Sequence, residues 1–201
     1  MFQIPPEPRF SVNWDEAEKL ASLARGKRVL EIGAFRGHST LALATTADSI
    51  VSVDCFTGGE AVVACDGDSL PDFLKATEAL RERGQLITIV GKTADVLPML
   101  KLSKFDLIFH DAAHDYMSVH NDLSIIIAGA RSVGSQILAV HDYGTEEGTK
   151  EACDALGLVC VEKTSRLAVF RLDGASQAQF RHMDDSARVP QRTNADWLLR
   201  A

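Results

Sequence analysis

Carboxylates and imidazoles gather at a few points of this chain, each just after a β-prone run, and these points are where chemistry is to be sought. The first is Glu31-Ile-Gly33-Ala34-Phe35-Arg36-Gly37-His38-Ser39, which follows RVLEI and leads into STLALATT. A ligand lying across such a strand-to-helix turn meets free helix N–H groups, and the glycines let the backbone come close to it. The plainer alternative is a tight connection with no ligand. Asp54 closes the next run, IVSV. An acid about twenty positions beyond the glycine turn of a nucleotide-binding sheet accepts hydrogen bonds from ribose hydroxyls; its plainer alternative is a turn residue. Two further groups mix acid and imidazole, His110-Asp111-Ala112-Ala113-His114-Asp115-Tyr116 and His141-Asp142-Tyr143.

Glu31 narrows the ligand. A carboxylate beside a pyrophosphate would repel it, so E-x-G-x-x-x-G suits a cationic ligand better than a dinucleotide. A methionine-linked adenosine carries a sulfonium and an amino acid and no phosphate. The competing readings are a nicotinamide-dependent oxidoreductase and a non-catalytic module that binds a cofactor or a partner.

The elements that must position these residues follow from periodicity. Asn13 and Glu16 form a capping pair ahead of a helix over 14–24, with Trp14, Ala17, Leu20 and Ala21 at helical spacing. Strands are expected at Arg28–Ile32, Ile50–Val53, Leu86–Val90, within FDLIFHD, within QILAVHD, and at Leu158–Val161 and Leu167–Leu172. Between them fall helices after Ser39, over Asp72–Arg83 with Ser69 as cap, and after Asp115, the last burying Leu123, Ile126, Ile127 and Ala130. Strands alternating with helices imply a parallel sheet. The last two strands are separated by too little chain for a crossover helix and are read as an antiparallel hairpin. The fold expected is α/β: a Rossmann-like, doubly wound, seven-stranded sheet, mostly parallel with an antiparallel last strand and helices on both faces.

VLEIGAFRGHST resembles motif I of class I S-adenosylmethionine-dependent methyltransferases, above all the catechol O-methyltransferase-like group and its bacterial small-molecule relatives. The similarity runs on through VGKTADVLPML, FHDAAHDY and AVHDY, covering about residues 28–172. The resemblance implies methyl transfer from S-adenosylmethionine, most naturally to an oxygen of a small molecule. It places Glu31, Gly33 and Ser39 around the methionine portion, Asp54 at the ribose, and Thr93 and Ala94 at the adenine edge, with Ala34, Phe35, Gly37 and Cys55 as further cofactor-binding residues. Asp111 would stand where donor and acceptor meet, as a cofactor-binding and catalytic residue. His114 falls where catechol-type enzymes carry a basic lysine, which makes it the candidate general base; otherwise it is a loop histidine bonded to backbone. The resemblance also implies a divalent-cation site, magnesium in such enzymes, at Asp111, His141 and Asp142, although imidazole is a softer ligand more usual for transition metals.

Composition bounds the rest. A hydrophobic fraction of 46% and a charged fraction of 24% are those of an ordinary globular protein. One domain is expected, with residues 1–26 as an N-terminal helix and cap, 27–172 as the cofactor-binding core and 173–201 as a C-terminal arm. The formal net charge of −7 disfavours a nucleic-acid partner reached through phosphate neutralisation. Cys55, Cys65, Cys153 and Cys160 show no metal spacing and are read as reduced thiols, and His120 as a helix-face residue. Prolines interrupt the N-terminal stretch where a signal peptide needs an apolar run, and no segment is long enough to span a bilayer, so the expected location is the cytoplasm. Tyr116 and Tyr143 line an acceptor pocket or simply pack. The loop 55–68 and the arm are the expected covers, and a second copy of the chain is the candidate for any missing wall.

Overall fold

The computed structural model describes residues 12–57, 68–130 and 136–172. The elements alternate along the chain as α1 Trp14–Ala24, β1 Arg28–Ile32, α2 His38–Ala44, β2 Ser49–Asp54, α3 Leu70–Ala76, α4 Glu78–Glu82, β3 Leu86–Val90, α5 Thr93–Val96, β4 Leu107–His110, α6 Tyr116–Gly129, β5 Gln136–Val140, α7 Glu147–Ala155, β6 Cys160–Thr164 and β7 Leu167–Leu172. They build one seven-stranded sheet in the order β3-β2-β1-β4-β5-β7-β6. β7 runs antiparallel to β5 on one side and to β6 on the other. This is the Rossmann-like sheet expected, with β1 and β4 side by side where the strand order reverses.

Period-two alternation assigns each strand residue to a face. Val29 of β1, Leu107 and Phe109 of β4 and Ala139 of β5 pack in one apolar cluster with Leu20 of α1, Leu43 of α2 and Phe73 of α3. Leu30, Ile32, Ile108, Leu138 and Val140 turn the other way, onto Leu123, Ile126 and Ile127 of α6 and Ala152 of α7. Both faces are covered, as a mainly parallel sheet requires. The helix start at Trp14 is the expected one: the Asn13 side chain accepts from the Glu16 N–H at 3.0 Å, and the Glu16 carboxylate accepts from the Asn13 N–H at 2.7 Å.

Four expectations need correction. The helix read over Asp72–Arg83 is two pieces, Leu70–Ala76 and Glu78–Glu82. Thr77 divides them: its hydroxyl donates back to the Phe73 carbonyl at 2.6 Å, which competes with the regular helical ladder. Ser69 precedes the first piece but makes no side-chain cap; the Asp68 carboxylate instead accepts from the Leu70 N–H at 2.8 Å. Ala130 ends α6 as its C-cap and is only half-buried, and β6 begins at Cys160 instead of Leu158, whose side chain is buried in the core. The loop beyond Thr57 with Cys65, and the arm with Phe180 and Trp197, lie outside the described residues.

The sheet sets the site through one close approach. Gly33 leaves β1 at φ 89°, and a Cβ on it would sit 2.0 Å from the Asp111 carbonyl oxygen. The ends of β1 and β4 can meet this closely only with hydrogen at that position. Gly33→Ala combines a left-handed backbone with a backbone clash, and it is expected to cost at least ~2–3 kcal/mol, read as a lowered urea-unfolding midpoint.

Candidate active site

The loop after β1 is held from beside it. Asp54, at the end of β2, accepts from the N–H groups of Ala34 at 2.7 Å and Phe35 at 2.8 Å through Oδ2, and from Phe56 at 2.7 Å through Oδ1. Gly33, Phe35 and Gly37 all have positive φ, which curls the loop back over the strand ends. Gly37 lies against the Phe73 ring and Thr77, and Phe73 stacks on Phe56 with centroids 4.9 Å apart. The loop is therefore clasped by a carboxylate below and wedged by two aromatic rings behind. Cys55 is half-buried at the same strand end.

Glu31 sits behind this loop. Its neighbours Leu30 and Ile32 point to the α6 face, so Glu31 points to the α2 face and is fully buried. There it accepts hydroxyl donors from Ser39 at 2.6 Å, from Thr40 at 2.6 Å and from Ser52. Burial pushes its carboxyl up to about 7 against the lowering effect of these hydroxyls. Its carboxylate thus ties β1, α2 and β2 together. Thr93 and Ala94 open α5; the Thr93 hydroxyl donates to Asp122 Oδ1 at 3.0 Å, while Asp122 Oδ2 meets His110 Nε2 at 3.2 Å. Ala94 is exposed. The buried Asp122–His110 pair behind Thr93 was not foreseen from the sequence.

The second centre lies at the ends of β4 and β5. Asp142 has φ 54°, which breaks the strand alternation and turns its side chain toward that of His141. His141 Nδ1 lies 3.1 Å from Asp111 Oδ1 and 3.2 Å from Asp142 Oδ2. Its Nε2 lies 3.1 Å from Glu16 Oε2. Arg166, in the turn between β6 and β7, donates to Glu16 through its backbone N–H at 3.0 Å and Nη2 at 3.1 Å, and to Asp142 Oδ1 through Nη1 at 3.2 Å. His114 Nε2 completes the set, 3.1 Å from Asp142 Oδ2.

Sequence reading finds Asp111, His114, His141 and Asp142, and the structure brings these four together. It misses Glu16 and Arg166. Burial works against ionisation of both His141 and Glu16, but the Asp111 carboxylate, with Asp142 and Glu16 beside it, pushes His141 well above the usual imidazole range, and the His141 ring with the backbone N–H groups of Asn13 and Arg166 holds Glu16 below the usual carboxylate range. The hydrogen bond to Asp142 raises His114, against its burial. Two features fix the His114 loop. Asp115 caps α6 by accepting from the Ser118 N–H at 3.0 Å, and Gly148 of α7 comes so close that a Cβ there would lie 2.5 Å from the His114 carbonyl oxygen.

One ligand atom from each of Asp111, His141 and Asp142 lies within 4.8 Å of the others, a spacing that would admit a cation. The donors are otherwise engaged. Each oxygen of Asp142 faces a nitrogen of a basic side chain, and both nitrogens of His141 face carboxylates. Magnesium prefers oxygen ligands with free lone pairs, so the arrangement does not fit it. Among the described residues no helix is long and apolar enough to cross a membrane.

A seven-stranded sheet in this order, with β7 antiparallel beside β5, is the fold of Rossmann-like methyltransferases. A family model described as "Methyltransferase domain" matches residues 30–143, more than half of the chain, and the chain belongs to that family. This removes the nicotinamide oxidoreductase reading. Among solved structures, cofactor-bound Rv0187 from MTB is 20% identical with a TM-score of 0.64, over 82% of this chain and 83% of that one. The O-methyltransferase from Bacillus cereus in complex with SAH is 15% identical with a TM-score of 0.61, over 82% and 83%. The N-methyltransferase NodS from Bradyrhizobium japonicum WM9 is 16% identical with a TM-score of 0.53, over 78% and 94%. Likeness at this level establishes the fold, which serves acceptors of more than one kind. No curated protein matches the chain.

Glu31 makes folding pH-dependent. Its folded value, about 7, lies above its ordinary 4.5, so the folded state holds this proton more tightly. The stability it contributes is fully present below about pH 4.5 and is lost as pH rises through about 7. Glu31→Gln keeps an acceptor for the hydroxyls and removes the titration. The stability gap between wild type and Glu31→Gln is expected to shrink by up to about 3 kcal/mol from pH 5 to pH 8, read by urea unfolding at both values.

Proposed function

We propose that this chain transfers a methyl group from S-adenosylmethionine to an oxygen of a small molecule, with His114 as the general base. The observation that carries this reading is the Asp142–His114 couple. With Nε2–H donated to Asp142, neutral His114 keeps its lone pair on Nδ1, for which the described residues offer no partner, on a ring that is 41% exposed. A hydroxyl is a poor nucleophile until its proton is removed, and an imidazole oriented by a carboxylate is a group suited to remove it.

The donor supplies an activated methyl on a sulfonium, so the protein has only to hold, align and deprotonate. Asp54, with further lone pairs beyond its amide contacts, faces the ribose hydroxyls. The loop from Gly33 to Gly37 presents backbone to the methionine portion. Thr93, fixed by Asp122, and Ala94 border the adenine. Asp111 engages His141 through Oδ1 alone, which leaves Oδ2 to face the cationic centre of the donor. This acidic rim favours a sulfonium and disfavours a pyrophosphate. As the acceptor oxygen bonds to the methyl carbon, its proton passes to His114 Nδ1, the carbon–sulfur bond breaks, and the bonding electrons stay on sulfur to give S-adenosylhomocysteine. Alignment of the two reactants supplies much of the remaining acceleration. The O-methyltransferase from Bacillus cereus bound to SAH supports this reading by fold.

Titration calorimetry of S-adenosylhomocysteine tests the donor, and saturable binding is expected. His114→Ala is expected to keep that affinity within about threefold while turnover of an acceptor found by screening hydroxyl compounds falls by about 10²–10⁴-fold. A variant that turned over like wild type would remove His114 from the mechanism. Absence of any binding would remove the donor and return the chain to the interaction-module reading.

A further inference from the structure

The geometry points to a proton on His141 in place of a divalent metal as the positive charge that joins the strand-end carboxylates, so that this methyltransferase site works without a metal. The inference rests on the methyl-transfer reading for its role and on three observations for its chemistry.

The first is the pattern of acceptors around the ring. His141 is 3% exposed, and the partners at both of its nitrogens are carboxylates: Asp111 and Asp142 at Nδ1, Glu16 at Nε2. Ionised carboxylates only accept hydrogen bonds, so a ring that satisfies both ends carries a proton on each nitrogen and has no lone pair left for a metal. The second is the state of Asp142. Arg166 Nη1 and the Thr145 hydroxyl donate to Oδ1, while His114 and His141 share Oδ2. A dication entering here would lie beside a guanidinium already bound to the same carboxylate and would be repelled by it. The third is the origin of Glu16. This side chain is 0% exposed, comes from α1, and is held by Arg166 and by the Asn13 N–H. A carboxylate fixed on the far side of the ring from Asp111 stabilises an imidazolium from behind.

Glu16 and Arg166 are thus positioning residues. They hold His141 charged and Asp142 in place, and Asp142 in turn orients His114. A resident metal would tie the same two carboxylates together; here a ring standing between Asp111, Asp142 and Glu16 does so with hydrogen bonds.

The test uses the full chain, uniformly ¹⁵N-labelled and treated with chelator at neutral pH, with histidine ring signals assigned through bonds from the backbone. Long-range proton–nitrogen correlation reads the two ring nitrogens of His141 directly. Both are expected to appear as N–H, and to stay so in millimolar magnesium and with equimolar zinc. The dissociation constant for S-adenosylhomocysteine is expected to change by less than about twofold between chelator and magnesium, as for a ligand with no coupling to the ion. Loss of the Nδ1 proton with saturable uptake of one ion per chain would overturn the inference, and so would a bare Nδ1 in the chelated protein. Failure of S-adenosylhomocysteine to bind in every condition would instead sink the methyl-transfer reading, while the His141 signals still decided what charge sits between the carboxylates.

Discussion

Burial of Glu16 is the constraint around which this structure is arranged. A carboxylate taken wholly out of water is expensive unless opposite charge and hydrogen bonds surround it. Here the Asn13 N–H, His141 and Arg166 do so at once. Each partner comes from a different place: the start of α1, the end of β5 and the turn between β6 and β7. The same contacts carry on to Asp111 and Asp142 and through Asp142 to His114. One buried acid therefore sets where the second centre lies and which way its imidazoles face. Removing a single partner would leave a charge uncompensated, which costs far more than the pair contributes net.

The glycine-loop side of the candidate site follows a different logic. Its loop is shaped by backbone: positive φ at Gly33, Phe35 and Gly37, the Asp111 carbonyl just past β4 where a side chain of Gly33 would be, and three amides converging on Asp54. Electrostatics enters at its flank, where Arg36 pairs with Asp72 of α3 at 3.0 Å, and behind it, where Glu31 spreads one carboxylate over three hydroxyls from α2 and β2. The glycine-loop half of the candidate site is thus fixed mainly by local geometry, and the acid–imidazole half by charges distant in the chain.

That division explains what the sequence made legible. Strand ends, the loop after β1 and the acids at Asp54 and Asp111 can be read because strand, turn and helix succeed one another locally, each with its own periodicity. Asp142 and His114 were readable for the same reason. Glu16 was not, because its pairing with Asn13 already accounted for a glutamate at the third position of a helix, and nothing local says that a carboxylate serving a cap also serves an active site. Arg166 looked like an ordinary polar residue of a hairpin turn. The surroundings of Glu31 were legible in part: the alternation Leu30, Glu31, Ile32 puts it on the opposite face from its apolar neighbours, toward the hydroxyls of Ser39, Thr40 and Ser52. The break at Thr77 was missed because propensity favours a continuous helix and a back-bonding threonine is a tertiary choice.

The insertion of β7 between β5 and β6 has a consequence for how the molecule comes into being. The contact between Glu16 and Arg166 joins positions 150 apart in the chain, and the strand that brings Arg166 into place is the last of the seven. Closing so long a loop adds little entropy beyond a moderate one, but contacts of this range slow the search for the native topology. The glycine loop and its clasp by Asp54 draw on residues from the first third of the chain. The contacts of Arg166 with Glu16 and Asp142 need the turn between β6 and β7 in place. During synthesis the glycine loop and its clasp are thus encoded long before Arg166, the residue that ties Glu16 to Asp142.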